Sequence, residues 1–392
     1  MVSITESVYI NEPKKWRLEI LKINFIGGRV RPFAELACTF GYKVGAFDLF
    51  NDWDLAKFII DGSAITGKET REPSYSKPSC WNDIRHEYKK FDMGPIIFCG
   101  PIEATPEVAE EASRTREVWN APPDAMRRCR DIRFLRSMAS GGILYPSNDF
   151  DGSGRWIRKD LYGAGGTSVS DYKGEKLHGS EYTQRYIQGG SIGATYFTSA
   201  GGTSLLGVTR HLNGYVAFRQ PEFSFGGILY PAVIDDDADV MLEEFGKLAG
   251  DASGLRGFWG ADFILGVDKR IWLLEINPRP TASLELIAKE HGIDIVSLQG
   301  ESVRGGKDKH ERLVQKPGRF SGTAVCYAED DLIFASPGIW FEKGGRDLPY
   351  HGEAVKKGEP VLSLYAESGS AEGVMQKMEK LAAEFYRKEV QF

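Results

Sequence analysis

The sequence predicts an α/β domain, then a larger α+β region, then a small β-rich module at the C-terminus. Three observations carry this reading. A strand–helix–strand alternation lies near the start, short strands and glycine-rich turns dominate the middle, and the tail holds short strands closed by one helix. The 392 residues suit two or three domains at roughly 100–200 residues each. Hydrophobic residues make up 42% and charged residues 27%, enough apolar material for real cores and too much for a disordered chain. With 49 basic against 55 acidic residues, the net charge of −6 offers no basic field for nucleic acid. No apolar run approaches the roughly 20 residues of a membrane helix, and Met1 to Pro13 lacks the basic and apolar regions of a signal peptide. Five cysteines (Cys38, Cys80, Cys99, Cys129, Cys326) without CxxC spacing fit a reducing cytoplasm. Glycine, at 45 residues, exceeds the usual ~7%, so backbone-mediated binding loops are expected.

Leu21 to Ile26 is a short apolar strand, Gly27-Gly28 a tight turn, and Phe33, Leu36, Ala37 and Phe40 recur at helical spacing. Gly41 stops that helix, and Lys43 to Phe47 is a second strand ending at Asp48. This βαβ unit is Rossmann-like, but its turn, Gly27-Gly28-Arg29-Val30-Arg31-Pro32, is not GxGxxG and gives little support to a dinucleotide. Asp61 to Lys90 is expected to be loop-rich, and Gly94 to Gly100 forms a later strand of the same sheet. Thr105 is the expected N-cap of a helix opened by Pro106. Pro122-Pro123 marks a boundary, giving a first domain over residues 1–120.

Residues 121–303 form the second domain, with a small lobe over about 121–187 and a large lobe over about 188–303. Its elements are a basic helix from Arg127 to Met138, a strand from Arg155 to Lys159 and a loop Gly163-Ala164-Gly165-Gly166. An amphipathic helix follows over Asp237 to Ala249, with Met241, Phe245 and Leu248 on one side, then a strand pair from Phe258 to Asn277. The β-rich module, 304–392, closes with a helix from about Ala371 to Arg387.

The strand pair carries the most chemistry. Its apolar arms flank Val267-Asp268-Lys269-Arg270, a four-residue loop that would set Gly266 opposite Ile271. Asp262 then faces Glu275 and Gly260 faces Asn277, so Asp262, Glu275 and Asn277 emerge on one side. Like charges directly opposite destabilise a sheet. A hard cation held by these oxygens, with phosphate oxygens completing its shell, supplies the missing reason. The alternative is an exposed hairpin whose acids face water; Phe263, Ile264, Trp272, Leu273 and Leu274 argue for burial. Upstream, Lys159 leaves a strand ahead of Gly163, Gly165, Gly166, Thr167 and Ser168, an arrangement whose backbone can cradle phosphates beside a point charge. It is not a Walker A loop. In Tyr182-Thr183-Gln184-Arg185-Tyr186-Ile187-Gln188-Gly189-Gly190, an extended crossing exposes backbone groups that can read an adenine edge, and Gln184 adds a side-chain contact.

The order of these three elements, ending in Glu275-Ile276-Asn277-Pro278-Arg279, resembles the ATP-grasp superfamily of carboxylate–amine ligases over roughly residues 20–300. The resemblance implies a Rossmann-like pre-ATP-grasp domain, a two-lobed ATP-grasp domain gripping ATP, and a small β-rich module. It further implies that Lys159 with Gly163, Gly165, Gly166 and Thr167 holds phosphates and that Gln184, Arg185 and Ile187 hold adenine. Asp262, Glu275 and Asn277 would hold Mg²⁺, with Mn²⁺ an admissible substitute, and Arg279 would sit beside the reacting carboxylate or acyl phosphate. Arg210, at the end of an apolar strand, meets either a phosphate or substrate carboxylate, or a surface ion pair. Where many members carry a phosphate-binding lysine, this chain has Ile132, leaving Arg130 or Arg133 to substitute. Thr281 and Ser283 mark a helix start that binds an anion or merely caps the helix.

The resulting expectation is an ATP-dependent ligase acting on a small-molecule carboxylate and an amine, with no nucleic-acid or membrane partner and a homodimer left open. The run through Glu-Ile-Asn-Pro-Arg-Pro-Thr-Ala-Ser is similar to ATP-grasp proteins of bacterial one-carbon cofactor (methanofuran and tetrahydromethanopterin type) biosynthesis, which would make glutamate a natural amine. The rival readings are a phosphotransferase on the same fold and a non-catalytic nucleotide-binding regulator.

Overall fold

A computed structural model describes residues 22–59, 64–66, 88–91, 94–307, 313, 316 and 318–389. Met1 to Pro13, Leu21, Cys80 and most of the stretch expected to be loop-rich lie outside the described residues. The first elements are β1 (Lys22–Gly27), α1 (Arg31–Thr39), β2 (Lys43–Asp48), β3 (Ala64–Thr66) and β4 (Ile96–Cys99). They build a four-stranded parallel sheet in the order β3-β2-β1-β4. α1 buries Phe33, Ala34, Leu36 and Ala37 and ends at Gly41, whose φ of +82° suits a helix stop. β1 lies between β2 and β4, so the strand order reverses at its C-terminal end. The chain turns there through Gly27, where any Cβ would collide with the Cys99 carbonyl.

α2 (Pro106–Ser113) begins as expected, yet Thr105 does not cap it with its side chain; the Thr105 hydroxyl is buried without a hydrogen-bond partner among the described residues. The basic helix expected over Arg127 to Met138 is instead two helices, α3 (Pro123–Cys129) and α4 (Ile132–Ser137). The break occurs at Asp131, whose carboxylate accepts from the Arg133 amide at 2.8 Å and starts a new helix.

β5 (Ile143–Leu144) is followed by β6 (Trp156–Asp160), β7 (Ser170–Tyr172) and β8 (Glu181–Arg185), and these last three form a separate antiparallel sheet in the order β7-β6-β8. The chain then leaves this sheet and enters β9 (Gly189–Ser199), β10 (Gly202–His211) and β11 (Gly227–Tyr230). α5 (Asp236–Ser253), β12 (Gly257–Gly266), β13 (Ile271–Asn277), α6 (Ala282–His291) and α7 (Ile295–Val303) complete this region. The last elements are β14 (Phe320–Tyr327), β15 (Leu332–Ile333), α8 (Pro337–Glu342), β16 (Gly345–Arg346), β17 (Ala354–Val355), β18 (Pro360–Ser368) and α9 (Ala371–Glu389). One nine-stranded sheet runs β16-β18-β14-β11-β10-β9-β12-β13-β5. Its strands β14, β18 and β16 come from the C-terminal stretch, joined to the rest where Gly227–Tyr230 pairs with Ser321–Ala324.

α5 packs on this sheet through Ala238, Leu242, Phe245 and Ala249, spaced at helical intervals, with Met241 partly buried. Leu248, expected on that face, is 42% exposed because the buried stripe falls on the neighbouring positions. Beneath the stripe Tyr196 stacks on Trp259 with ring centroids 4.3 Å apart, and Phe263, Leu273 and Ile276 fill the layer. α1, α6 and α7 share a second core with Phe197, Ile228 and Phe258.

The β12–β13 ladder corrects the expected turn. Leu265, not Gly266, pairs with Ile271, and Gly266 donates its amide to the Arg270 carbonyl. A bulge between Asp262 and Phe263 then absorbs Leu274, and Asp262 faces Glu275 with Gly260 facing Asn277. An extra residue in one strand reverses the alternation beyond it. Ile271, Leu273 and Ile276 therefore enter the core while Leu274, Glu275 and Asn277 face the opposite side.

Candidate active site

A cleft of about 960 Å³ is lined by the β7-β6-β8 sheet, by the nine-stranded sheet and by the turns after β1 and β4, so all three parts of the chain wall it. Lys159, Gly163, Gly165, Gly166, Thr167, Gln184, Arg185, Ile187, Arg210, Asp262, Glu275, Asn277 and Arg279 all line it. They come from β6, β8, β10, β12, β13 and the segments that follow these strands, and the fold brings them to one opening.

The two acids sit on adjacent strands, and the Asn277 amide bridges them, donating to Asp262 Oδ2 at 3.1 Å and to Glu275 Oε1 at 3.5 Å. Their side chains are 26% and 33% exposed, so they open onto the cleft rather than into the core. Burial pushes the Asp262 carboxyl well above its ordinary range, and the facing Glu275 pushes it further. Burial acts upward on Glu275 too, but Lys159 and Arg130 outweigh it and draw that carboxyl down to about 2. Among the described residues no three of His, Cys, Asp and Glu cluster as metal ligands. Two carboxylates and an amide are an incomplete oxygen shell, of the kind a Mg²⁺ ion completes with phosphate oxygens and water. His211 stands beside the pair, its Nε2 3.9 Å from Asp262 Oδ1 and its Nδ1 3.2 Å from Ser191 Oγ. Burial lowers its imidazole to about 4, which keeps the ring neutral at physiological pH.

Cations surround the acids. Burial pushes the Lys159 ammonium down, but Tyr182 and Glu275 outweigh this and hold it at about 12. Its Nζ donates to Gln184 Oε1 at 3.5 Å. Gln184 is fully buried, and its Nε2 has no hydrogen-bond partner among the described residues. A buried amide donor left unmade implies an acceptor supplied from outside. The Arg185 side chain instead turns to Asp151 and Ser153, and its backbone amide donates to the Ser147 carbonyl at 2.8 Å.

Of the two arginines able to replace the lysine, Arg133 is 90% exposed and bonded to Asp131. Arg130 enters the cleft, 3.8 Å from Glu275 Oε2 and 2.8 Å from Glu103 Oε1. Arg279 reaches the same Glu103, its Nε 3.2 Å from Oε2, and donates to Asn277 Oδ1 at 3.4 Å. Glu103, fully buried after β4, thus holds two guanidinium groups at once. Nothing in Gly100-Pro101-Ile102-Glu103 signals this in the sequence, because the partners arrive from positions 27 and 176 residues away.

In the glycine loop, the Gly165 carbonyl accepts from the Phe225 amide at 2.9 Å, which ties the loop to the large lobe. Gly166, at φ +74°, rests against the Phe223 carbonyl so closely that a Cβ would collide with it. Arg210 is exposed within the cleft and donates to the Tyr215 hydroxyl at 2.9 Å. Thr281 stands at the N-cap of α6 without a side-chain cap bond, and the Ser283 hydroxyl pairs with Thr209 at 2.8 Å.

Residues 145–283 match the family model of the ATP-grasp domain. The chain therefore carries an ATP-grasp domain. A stretch of 74 residues is 39% identical to a D-alanine–D-alanine ligase of Desulfovibrio desulfuricans, spanning 18% of this chain and 24% of that ligase. Among solved structures, the L-amino acid ligase of Bacillus licheniformis superposes with a TM-score of 0.64 at 14% identity, over 93% of this chain and 97% of that one. The biotin carboxylase domain of the Hydrogenobacter thermophilus 2-oxoglutarate carboxylase, solved as a dimer with MgADP and bicarbonate, gives 0.68 at 12% identity over 93% and 89%. At these identities the structures share the fold.

Proposed function

We propose that this chain is an ATP-dependent ligase that activates a carboxylate as an acyl phosphate and joins it to an amine. The observation that carries the reading is the Asp262–Glu275 pair with Asn277, facing a cleft that Lys159, Arg130 and Arg279 also line. Residues 1–120, 121–303 and 304–392 are taken as its pre-grasp, grasp and closing modules.

Bound MgATP supplies the phosphoryl group and the electrostatic stabilisation of its transfer. In this assignment Asp262, Glu275 and Asn277 hold the metal, and Lys159 with the Gly163–Thr167 backbone holds the phosphates. Gln184 offers its unpartnered Nε2 and the Arg185 and Ile187 backbones to the base. Arg130, which lines the cleft beside Glu275, is taken to act in place of the missing lysine, and this reading answers the main motive for a non-catalytic regulator. Arg279, fixed by Glu103, stabilises the charge developing on the activated carboxylate. Arg210 is taken as a further cation that meets substrate. The amine is taken to be an amino acid such as glutamate, in keeping with the fold neighbour named for L-amino acid ligation.

The test is ADP release measured against libraries of carboxylates and amines, with mass spectrometry of the products. An amide product formed only when both partners are present supports ligation. Phosphate transfer that needs no amine moves the assignment to a phosphotransferase, and no turnover with any pair removes the enzyme reading.

A further inference from the structure

Among the described residues the β7-β6-β8 sheet shares no strand pairing with the nine-stranded sheet, so other contacts set the angle between the lobes. One set of them gathers at Arg155, the residue before β6. Its carbonyl accepts from the Tyr186 amide at 3.0 Å, where the chain crosses from β8 to β9. Its guanidinium lies over the Tyr186 ring, 4.4 Å from Cζ to centroid, and over the Phe223 ring at 5.3 Å. Nη1 reaches Glu222 Oε1 at 2.7 Å, and Nε donates to Asp171 Oδ1 at 2.7 Å. Tyr186 and Asp171 belong to the small lobe, and Glu222 and Phe223 to the connection between β10 and β11. One side chain thus clasps both lobes.

The large-lobe side of this clasp is firmly anchored. Gln220 Nε2 donates to the Gly226 carbonyl at 2.6 Å and to the Val325 carbonyl at 3.2 Å, and the Tyr327 hydroxyl donates to the Phe225 carbonyl at 2.8 Å. The other side is a sheet of only three strands. Where the two meet, the Phe225 amide donates to the Gly165 carbonyl at 2.9 Å, beside the close approach of Gly166 to the Phe223 carbonyl. Glu222, Phe223 and Phe225 line the cleft from one side and residues 163–166 from the other, so parting these surfaces widens it. The Arg155 side chain is 36% exposed and that of Glu222 57%, which leaves their attraction open to screening by salt. Such a pair is modest alone, and the two rings add a cation–π share.

We propose that Arg155, with Glu222, Tyr186 and Phe223, is an ionic latch that holds the lobes at this angle and sets the rate at which molecules leave the cleft. Opening and product release limit the turnover of many enzymes, and this latch makes that step sensitive to ionic strength. The inference rests on the ligase reading only in taking a nucleotide to be what the cleft holds.

The Phe225 amide, bonded across the lobes, is a built-in reporter of their separation. Its hydrogen exchange is followed in the full ligand-free chain at low and high NaCl, by mass spectrometry with residue-level fragmentation. The native protein is compared with Glu222→Gln, Arg155→Met and a control, Asp331→Asn, which breaks an exposed ion pair with Lys356 in the last module. Dissociation of a fluorescent Mg-ADP analogue is measured by stopped flow in the same four proteins. Glu222→Gln should raise both rates about threefold, the scale of one exposed ion pair. Arg155→Met should raise them about tenfold, since the cation–π contact goes too; should it not fold, Glu222→Gln carries the test alone. Added salt should raise both rates in the native protein and leave Glu222→Gln nearly unchanged, and Asp331→Asn should behave as native. Unchanged Phe225 exchange in both latch variants, equal salt responses in the native protein and Glu222→Gln, or faster exchange with an unchanged dissociation rate overturns the proposal. Failure of the native protein to bind the ADP analogue, with Phe225 exchange responding as expected, would sink the nucleotide reading instead and leave the latch standing.

Discussion

Glu275 is the residue on which most of the cleft's charge converges, since Lys159, Arg130 and Arg279 all act on it. Glu275→Gln and Asp262→Asn remove charge from a site open to the cleft and no packing from a core. Turnover should fall below detection in both while Tm stays near the native value; near-normal activity in either at saturating Mg²⁺ would show that these acids hold no metal. Arg130 and Arg133 make a sharper contrast because they are three residues apart with opposite surroundings. Arg130→Gln should lower kcat/KM by about 100-fold, the scale of one preorganised charge contact, whereas Arg133→Gln should be neutral. Equal effects in steady-state kinetics would contradict the geometry. For Arg279, substitution by lysine keeps the charge but not the two-sided hold between Glu103 and Asn277. Single-turnover ligation should slow by roughly 3 kcal/mol in barrier with Mg-ATP affinity near native. If Tm falls and the folded remainder works normally, Arg279 is a structural pair.

Among the elements, the β12–β13 hairpin shows how much of this molecule the sequence makes legible, and where it stops. Apolar alternation placed Asp262 opposite Glu275, yet the turn behind that placement was off by one residue, and the bulge at Leu274 restored the register. A bulge leaves no compositional trace here, so the correct facing of the acids came from two displacements that offset each other. Lys159, Gln184 and the glycine loop were legible because loop and strand chemistry is local. Glu103 was not, because its meaning lies in partners that only tertiary folding delivers. The glycine loop carries its own expectation. It is tied to the large lobe by the Gly165–Phe225 bond, and phosphate contacts would add to that tie. Amide hydrogen exchange over residues 163–168 should slow markedly when Mg-ATP binds. Gly166→Ala should lose most activity, since its positive φ and the Phe223 carbonyl both oppose a side chain. Unchanged exchange would mean that the loop is not a phosphate cover.

At the scale of the whole molecule, Arg31 is the pin. Fully buried, it meets Glu285 of α6 at 2.9 Å, Asp347 after β16 at 2.9 Å, Glu35 at 2.8 Å and Asp54 at 3.7 Å. One guanidinium thus joins the first sheet's helix to both later regions. Burial acts upward on the Glu285 and Asp347 carboxyls, but Arg31 outweighs it and holds both below the usual range. A carboxyl with a depressed folded value contributes stability that is fully present above its unfolded value, roughly 4. That contribution is lost as pH falls through the folded value. Removing the guanidinium strands the buried acids, so Arg31→Met should lose about 3–5 kcal/mol at pH 7. Acid then weakens the native protein while relieving the variant, and the gap between their denaturation midpoints should narrow from pH 7 to pH 3.5. A gap independent of pH would deny the network any electrostatic share in stability.

The pairing of Gly227–Tyr230 with Ser321–Ala324 has a consequence during biosynthesis. A growing chain carries β11 with one open side until Phe320–Tyr327 emerges, and β14 stays open until Pro360–Ser368 follows. Through that interval the nascent protein displays a half-finished sheet with an unpaired edge, the template on which chains pair with one another. A premature stop after α7 would fix the protein in that state for good, so such a product should collect in inclusion bodies and engage chaperones rather than persist as a smaller folded enzyme.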